Sequence, residues 1–200
     1  MFNLNKNICI FEEIDSTQKE VLRRIESIKD SIVVISKNQT DGIGTHGRKW
    51  ISNKNNITFS IGINFSNIKN NTNDDLLNVD INSIEGITIE FAKILVNIFK
   101  KFYGINCINI KYPNDLLING KKIGGILTET KLVRDNVKYL IVGIGINTNQ
   151  IEFDDLEIKD IASSIKIECK KEIDNNKVIF EFIKEFENCL EERIKNKKWK

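Results

Sequence analysis

Three runs rich in residues branched at Cβ, SIVVIS (31–36), ITFSIGINF (57–65) and VKYLIVGIGI (137–146), constrain this chain more than any other feature. Such side chains fit an extended, pleated backbone, and the first run is too short for a helix, so each predicts a strand. Shorter strand-like stretches stand at 8–11, 107–111 and 116–118. Asn119-Gly120, a pair that accepts positive φ, predicts a tight hairpin into a further strand at 122–133. Residues 134–136 then turn the chain toward 137–146. Apolar residues at helical spacing mark 18–28, behind a cap at Ser16 or Thr17, 83–103, ending before Gly104, and 177–194, and 161–165 is a shorter helical piece. Residues 37–49 read as a polar, glycine-bearing loop and the Asn-rich 66–78 as a mobile one. Strands in hairpins with helices between and after them predict an α+β fold: a mixed, mainly antiparallel β-sheet packed by helices. The strand–helix alternation of a doubly wound nucleotide fold is absent.

With 200 residues, 40% of them hydrophobic, the chain can bury a full core, and no linker or repeat divides it, so residues 1–200 are expected to form a single domain. The net charge of +2 argues against a large nucleic-acid surface or a polybasic membrane anchor. No run approaches the ~18 apolar residues of a membrane span, and the first fifteen residues lack the pattern of a signal peptide. Cys9, Cys107, Cys169 and Cys189 are scattered, with no CxxC pair and only one histidine, His46, to assist them. A structural metal or disulfide framework is therefore not expected, and a reducing cytoplasm is.

Three stretches carry the candidate chemistry. In QTDGIGTHGRKW (39–50), glycines at 42, 44 and 47 free the backbone to approach an anion, Arg48 and Lys49 add positive charge, and Trp50 offers a stacking face. By itself the pattern fits a flexible surface loop with Trp50 in the core equally well, and His46 reads as a loop side chain. In KYPND (111–115), the chain's one proline ends a strand and presents Asn114 and Asp115; the hairpin brings Asp115 within reach of Lys121 and Lys122. A solvated surface ion pair is the plainer alternative, but Gly124-Gly125 inside a strand costs stability unless something approaches the backbone. GIGIN (143–147) repeats that feature, with a tight bulge as the alternative. Together they point to a cleft for a phosphate- and base-bearing ligand with a lysine near the phosphate. No P-loop, kinase signature or nucleophilic triad is present.

These residues resemble the catalytic domain of biotin protein ligases, in order, from Ile14 to about Leu190. IDST (14–17) resembles the family's opening biotin segment, residues 39–50 its GRGRRGRKW loop, KYPNDLLINGKKIGGILTE its KWPND…K…GGIL element, and GIGIN its adenine-side strand. The resemblance implies a fold of the class II aminoacyl-tRNA synthetase/biotin synthetase type, without the helix-turn-helix domain before it or the SH3-like barrel after it. It implies activation of biotin by MgATP to biotinyl-5'-AMP and pyrophosphate, then transfer to one lysine of a biotin carboxyl carrier domain. Catalytic roles fall on Lys122, Arg48 and Asp115. Ser16, Thr17, Gln39, Gly42, Gly125 and Leu127 would line the biotin site, and Arg48, Trp50, Lys111, Asn114, Lys122 and Asn147 would hold ATP or the adenylate. Asp115 would also meet Mg²⁺. Biotin, ATP and Mg²⁺ are the implied ligands and a carboxylase carrier domain the partner, with no DNA or membrane and with a homodimer left open. Ile43 and Thr45 stand where the family loop carries arginines, which implies weaker retention of the adenylate, and Gln18 stands where Asn is often found. A lipoate or related acid ligase on the same fold, or a slow or non-catalytic biotin-adenylate binder, are the alternatives.

Overall fold

The computed structural model describes residues 4, 7–68, 77–153, 155 and 158–196. Strands β1 (Ile8–Ile14), β2 (Ser31–Gln39), β5 (Ile57–Asn64), β6 (Asn109–Lys111), β7 (Asp115–Ile118), β8 (Lys121–Val133) and β9 (Asn136–Ile146) form one sheet in the order β1-β2-β5-β9-β8-β7-β6. A two-stranded hairpin, β3 (Gly42–Ile43) with β4 (Lys49–Trp50), lies apart from it. Only β1 and β2 pair in parallel, joined by helix α1 (Thr17–Arg24); the remaining neighbours are antiparallel. The expected α+β class with a mixed, mainly antiparallel sheet is what the chain forms.

Alternation along the central strands sorts side chains into two faces. Phe59, Ile61 and Ile63 of β5 and Val142, Ile144 and Ile146 of β9 enter the larger core with helices α2 (Ile87–Tyr103) and α4 (Asn175–Asn196). Helix α4 contributes Val178, Phe182, Phe186 and Leu190 at one-turn spacing, and Phe182 meets Phe59 edge-on at 5.6 Å while Phe186 stacks on Phe91 at 4.7 Å. Burying each such ring stabilises the fold by roughly 2 kcal/mol or more. On the other face Val21 and Ile25 pack on Ile32, Val34 and Ile141, with Cys9, Phe11 and Tyr139 at their margin, and polar residues and glycines gather beside this smaller cluster.

Several boundaries differ from the sequence expectation. Helix α1 stops at Arg24, and α2 starts at Ile87 because Ser83 is held in a 3₁₀ turn and Gly86 precedes the helix at φ 68°. The helical piece expected at 161–165 forms later, as α3 (Ile165–Cys169), because Ser164 accepts the Ile167 amide as its cap at 3.1 Å. The loop expected at 37–49 is more ordered than its composition implies, since β2 runs to Gln39 and the β3–β4 hairpin follows. Of the mobile loop expected at 66–78, residues 69–76 lie outside the described residues, whereas Ile68 is buried in the core. The turn at Asn119-Gly120 is as expected, with φ of 51° and 78°.

All four cysteines are free thiols. The Sγ atoms of Cys107 and Cys169 stand 3.5 Å apart, and burial together with that neighbour pushes Cys169 up to about 11. Among the described residues no helix is long and apolar enough to cross a membrane.

Candidate functional site

The polar face of the sheet carries two rows of small side chains. Ser60 of β5 pairs with Gly143 of β9, and Gly143 with Leu127 of β8. Two residues along, Thr58 pairs with Gly145, Gly145 with Gly125, and Gly125 with Asp115 of β7. The rows are thus about 7 Å apart. With α1 and the β3–β4 hairpin above them, they floor an open-mouthed cavity.

At one end the cavity is crowded with oxygen acceptors. Ser16 caps α1 by accepting the Lys19 amide, which brings Thr17 and Gln18 over the first row. Gln39 Oε1 accepts from the Thr17 amide at 2.7 Å and lies 3.0 Å from Thr17 Oγ1. Thr17 Oγ1 is 2.9 Å from Ser60 Oγ, and Ser60 Oγ is 3.1 Å from Gln18 Oε1. Each hydroxyl has one proton, so Thr17 and Ser60 supply two protons to three oxygen–oxygen contacts. The cluster is short of donors and matches a ligand that brings N–H groups. Gly143 is required beneath it: a Cβ there would stand 2.5 Å from Gln18 Oε1.

At the other end sits a cation. Lys122 Nζ lies 2.6 Å from Asp115 Oδ1, over Gly125, whose added Cβ would stand 3.4 Å from the same nitrogen. The local fold fixes this lysine through a bulge. Leu116 pairs with Gly124 but Leu117 with Lys122, so Ile123 is the extra residue and Lys122 stands next to the bulge. Its backbone bonds elsewhere: its amide donates to Ile161 O at 2.8 Å, and its carbonyl accepts from the Ser163 amide at 2.9 Å. Asn114 borders this end, its side chain donating to Ile126 O at 3.2 Å. Between the two ends the Trp50 indole covers Gly145, and a Cβ at 145 would fall 2.3 Å from the ring. Among the described residues, Trp50 Nε1 and Thr58 Oγ1 are buried there without a hydrogen-bond partner.

Ser16, Thr17, Gln39, Trp50, Asn114, Lys122, Gly125 and Leu127 therefore line one cavity. Asp115 borders it through Lys122 and Gly125. Gly42 is beside it: a Cβ there would meet Trp50 O at 2.4 Å, so this glycine lets the hairpin close. Arg48 and Lys111 are exposed and outside its lining. Asn147 is also outside, buried and engaged: it donates to Ser163 O at 3.0 Å and accepts from Asn56 at 3.3 Å, which ties the segment holding Lys122 to the sheet. Among the described residues no three His, Cys, Asp or Glu side chains converge on a metal position. Thr58 and Ser60 were missed as site residues. Their signal was available, since polar residues alternate with Phe59, Ile61 and Ile63 in a strand buried along its whole length.

Comparison with known proteins places these observations. The model of the biotin/lipoate A/B protein ligase family matches residues 10–147. The chain is 34% identical over 196 residues to the bifunctional ligase/repressor BirA of Bacillus spizizenii, covering 96% of this chain and 55% of that protein. It is 28% identical over 138 residues to the biotin–[acetyl-CoA-carboxylase] ligase of Paracoccus denitrificans, covering 66% and 51%. Among solved structures, the biotin protein ligase from Aquifex aeolicus in complex with biotin and ATP superposes with a TM-score of 0.69 at 29% identity, over 95% of this chain and 71% of that one. The chain thus spans about half the length of the curated relatives it matches.

Proposed function

The chain belongs to the biotin/lipoate A/B protein ligase family, and from that premise we propose that it activates biotin with MgATP and passes the biotinyl group to a lysine of a carboxylase carrier domain. The observation that carries biotin over lipoate is the donor-poor cluster of Thr17, Gln18, Gln39 and Ser60. A cyclic urea brings N–H donors to such a cluster, whereas a dithiolane ring brings none, and leaving these acceptors unpaired in a buried site costs affinity. The relatives named for biotin, one of them holding biotin and ATP, support the same choice.

With the ring at the acceptor end, the valeryl chain runs over Gly143 and past the edge of the Trp50 indole that covers Gly145, and the carboxylate reaches Lys122. The carboxylate oxygen attacks the α-phosphate of ATP, pyrophosphate leaves, and negative charge gathers on the oxygens in flight. Lys122 is placed to meet that charge. Asp115 holds the ammonium in position, and its carboxylate would be the residue to offer an oxygen to Mg²⁺ accompanying the ATP phosphates, an ion that would neutralise phosphate charge and is commonly held by one or two carboxylates plus phosphate. Arg48, exposed on the hairpin, closes on phosphate when the loop folds over ATP. In the second half-reaction the acceptor lysine amine attacks the mixed anhydride and AMP leaves.

ATP–pyrophosphate exchange run separately with biotin and with lipoate tests the reading. Exchange dependent on biotin alone is expected; exchange with lipoate alone overturns it, and tight biotin binding without exchange assigns the chain as a binder. Thr58→Val adds a second check. Its hydroxyl has no partner among the described residues, so the variant is expected to melt at or slightly above the wild-type temperature. Its biotin-dependent exchange is expected to fall severalfold, because the orphaned hydroxyl faces the bound acid. Unchanged exchange would show that the bound acid makes no use of that hydroxyl.

A further inference from the structure

Gln18 closes the acceptor end of the cavity, and it is 4% exposed. Which end of its amide faces the cavity decides whether that wall accepts or donates. Glu129, two residues beyond Leu127 on the same face of β8, settles the matter: Gln18 Nε2 donates to Glu129 Oε2 at 2.7 Å. An ionised carboxylate only accepts, so the NH₂ group must turn toward it and Oε1 must turn inward, over Gly143 and within 3.1 Å of Ser60 Oγ. The opposite rotamer would set amide oxygen against carboxylate and put two donors into a cluster that needs donors from its ligand.

From this we infer that Glu129 is a positioning residue that fixes the polarity of the cavity's closed end, and through Gln18 selects a head group bearing N–H donors. The inference rests on the biotin reading above and deepens it. Glu129 is itself exposed on the strand, so it acts on the ligand only through the amide.

The test uses the full chain and two variants, Glu129→Lys and Glu129→Gln. A lysine ammonium only donates, so it turns the amide around; a glutamine oxygen still accepts from Gln18 Nε2. By calorimetric titration with biotin and by pyrophosphate exchange, E129K is expected to weaken biotin binding and raise the biotin KM about tenfold, the worth of roughly one hydrogen bond. The kcat, the KM for ATP and the melting temperature are expected to stay at wild-type values. E129Q is expected to remain within about twofold throughout. Wild-type-like biotin binding by E129K, or an equal fall in E129Q, overturns the inference while leaving the biotin reading in place. Failure of the wild-type chain to bind biotin overturns both.

Discussion

Lys122→Ala is expected to lower biotin-dependent ATP–pyrophosphate exchange by about a thousandfold while leaving the protein folded. The size follows from what is removed. A cation held in a half-buried site meets charge that develops only as the carboxylate attacks phosphate, and deleting one such preorganised group typically costs 10²- to 10³-fold or more. The small structural effect follows from its surroundings. The side chain's ion-pair partner is Asp115, and the two are 34% and 21% exposed, so the carboxylate left behind can hydrate. Exposed or half-exposed pairs contribute about 0–1 kcal/mol. The melting temperature is therefore expected to move by no more than about 4 °C. Lys122→Arg separates charge from placement: a planar guanidinium spreads its charge over a fork and does not reproduce the compact ammonium held beside Asp115, so exchange is expected to stay low. Exchange by K122A within threefold of wild type would remove Lys122 from the role.

How much of this site was legible in the sequence depended on how local each cause is. The Asn119-Gly120 turn was readable because its demand for positive φ is met by those two residues themselves, and once the hairpin was placed, the approach of Lys122 to Asp115 followed. The bulge at Ile123 was not readable. Beside it the 161–163 segment bonds both backbone groups of Lys122, and nothing near residue 122 announces a partner some forty residues away. Asn147 shows the same limit from the other side. An asparagine after a glycine-rich strand suits a ligand contact and a structural tie equally, and here Ser163 and Asn56, distant in sequence, claim its amide. The helix expected at 161–165 began later for a related reason. Both Ser163 and Ser164 suit a cap, and Ser164 takes the role while Ser163 bonds Glu168. Gln18 and Glu129 fall in or beside the segments that resemble the family, but no motif links the two. Their pairing across 111 residues needs the sheet before it means anything.

Gly143→Ala is expected to weaken biotin binding about a hundredfold, with the KM for ATP near its wild-type value and the melting temperature lowered by several degrees while the protein still folds. The added methyl would stand 2.5 Å from Gln18 Oε1 and 3.3 Å from Ser60 Oγ, well inside the contact distance of carbon and oxygen in the first case. The amide cannot slide aside cheaply, because Glu129 holds its nitrogen and Ser60 its oxygen. Relief therefore breaks both bonds, expels Gln18 from the wall and leaves a methyl group in the row where the ring is proposed to lie. The lost acceptor and the blocked volume act on the same ligand, which is why the effect exceeds that of turning the amide alone. Folding tolerates the change because alanine suits an extended strand at least as well as glycine does, and the displaced side chain can reach solvent beside the exposed Glu129. Gly145→Ala provides the contrast, since its methyl would collide with the Trp50 indole 2.3 Å away and disturb the hairpin that covers the nucleotide end. The KM for ATP is expected to rise there, and the biotin KM in G143A. A G143A protein that binds biotin within threefold of wild type would place the ring elsewhere than over Gly143, and would take the acceptor cluster out of the argument for biotin.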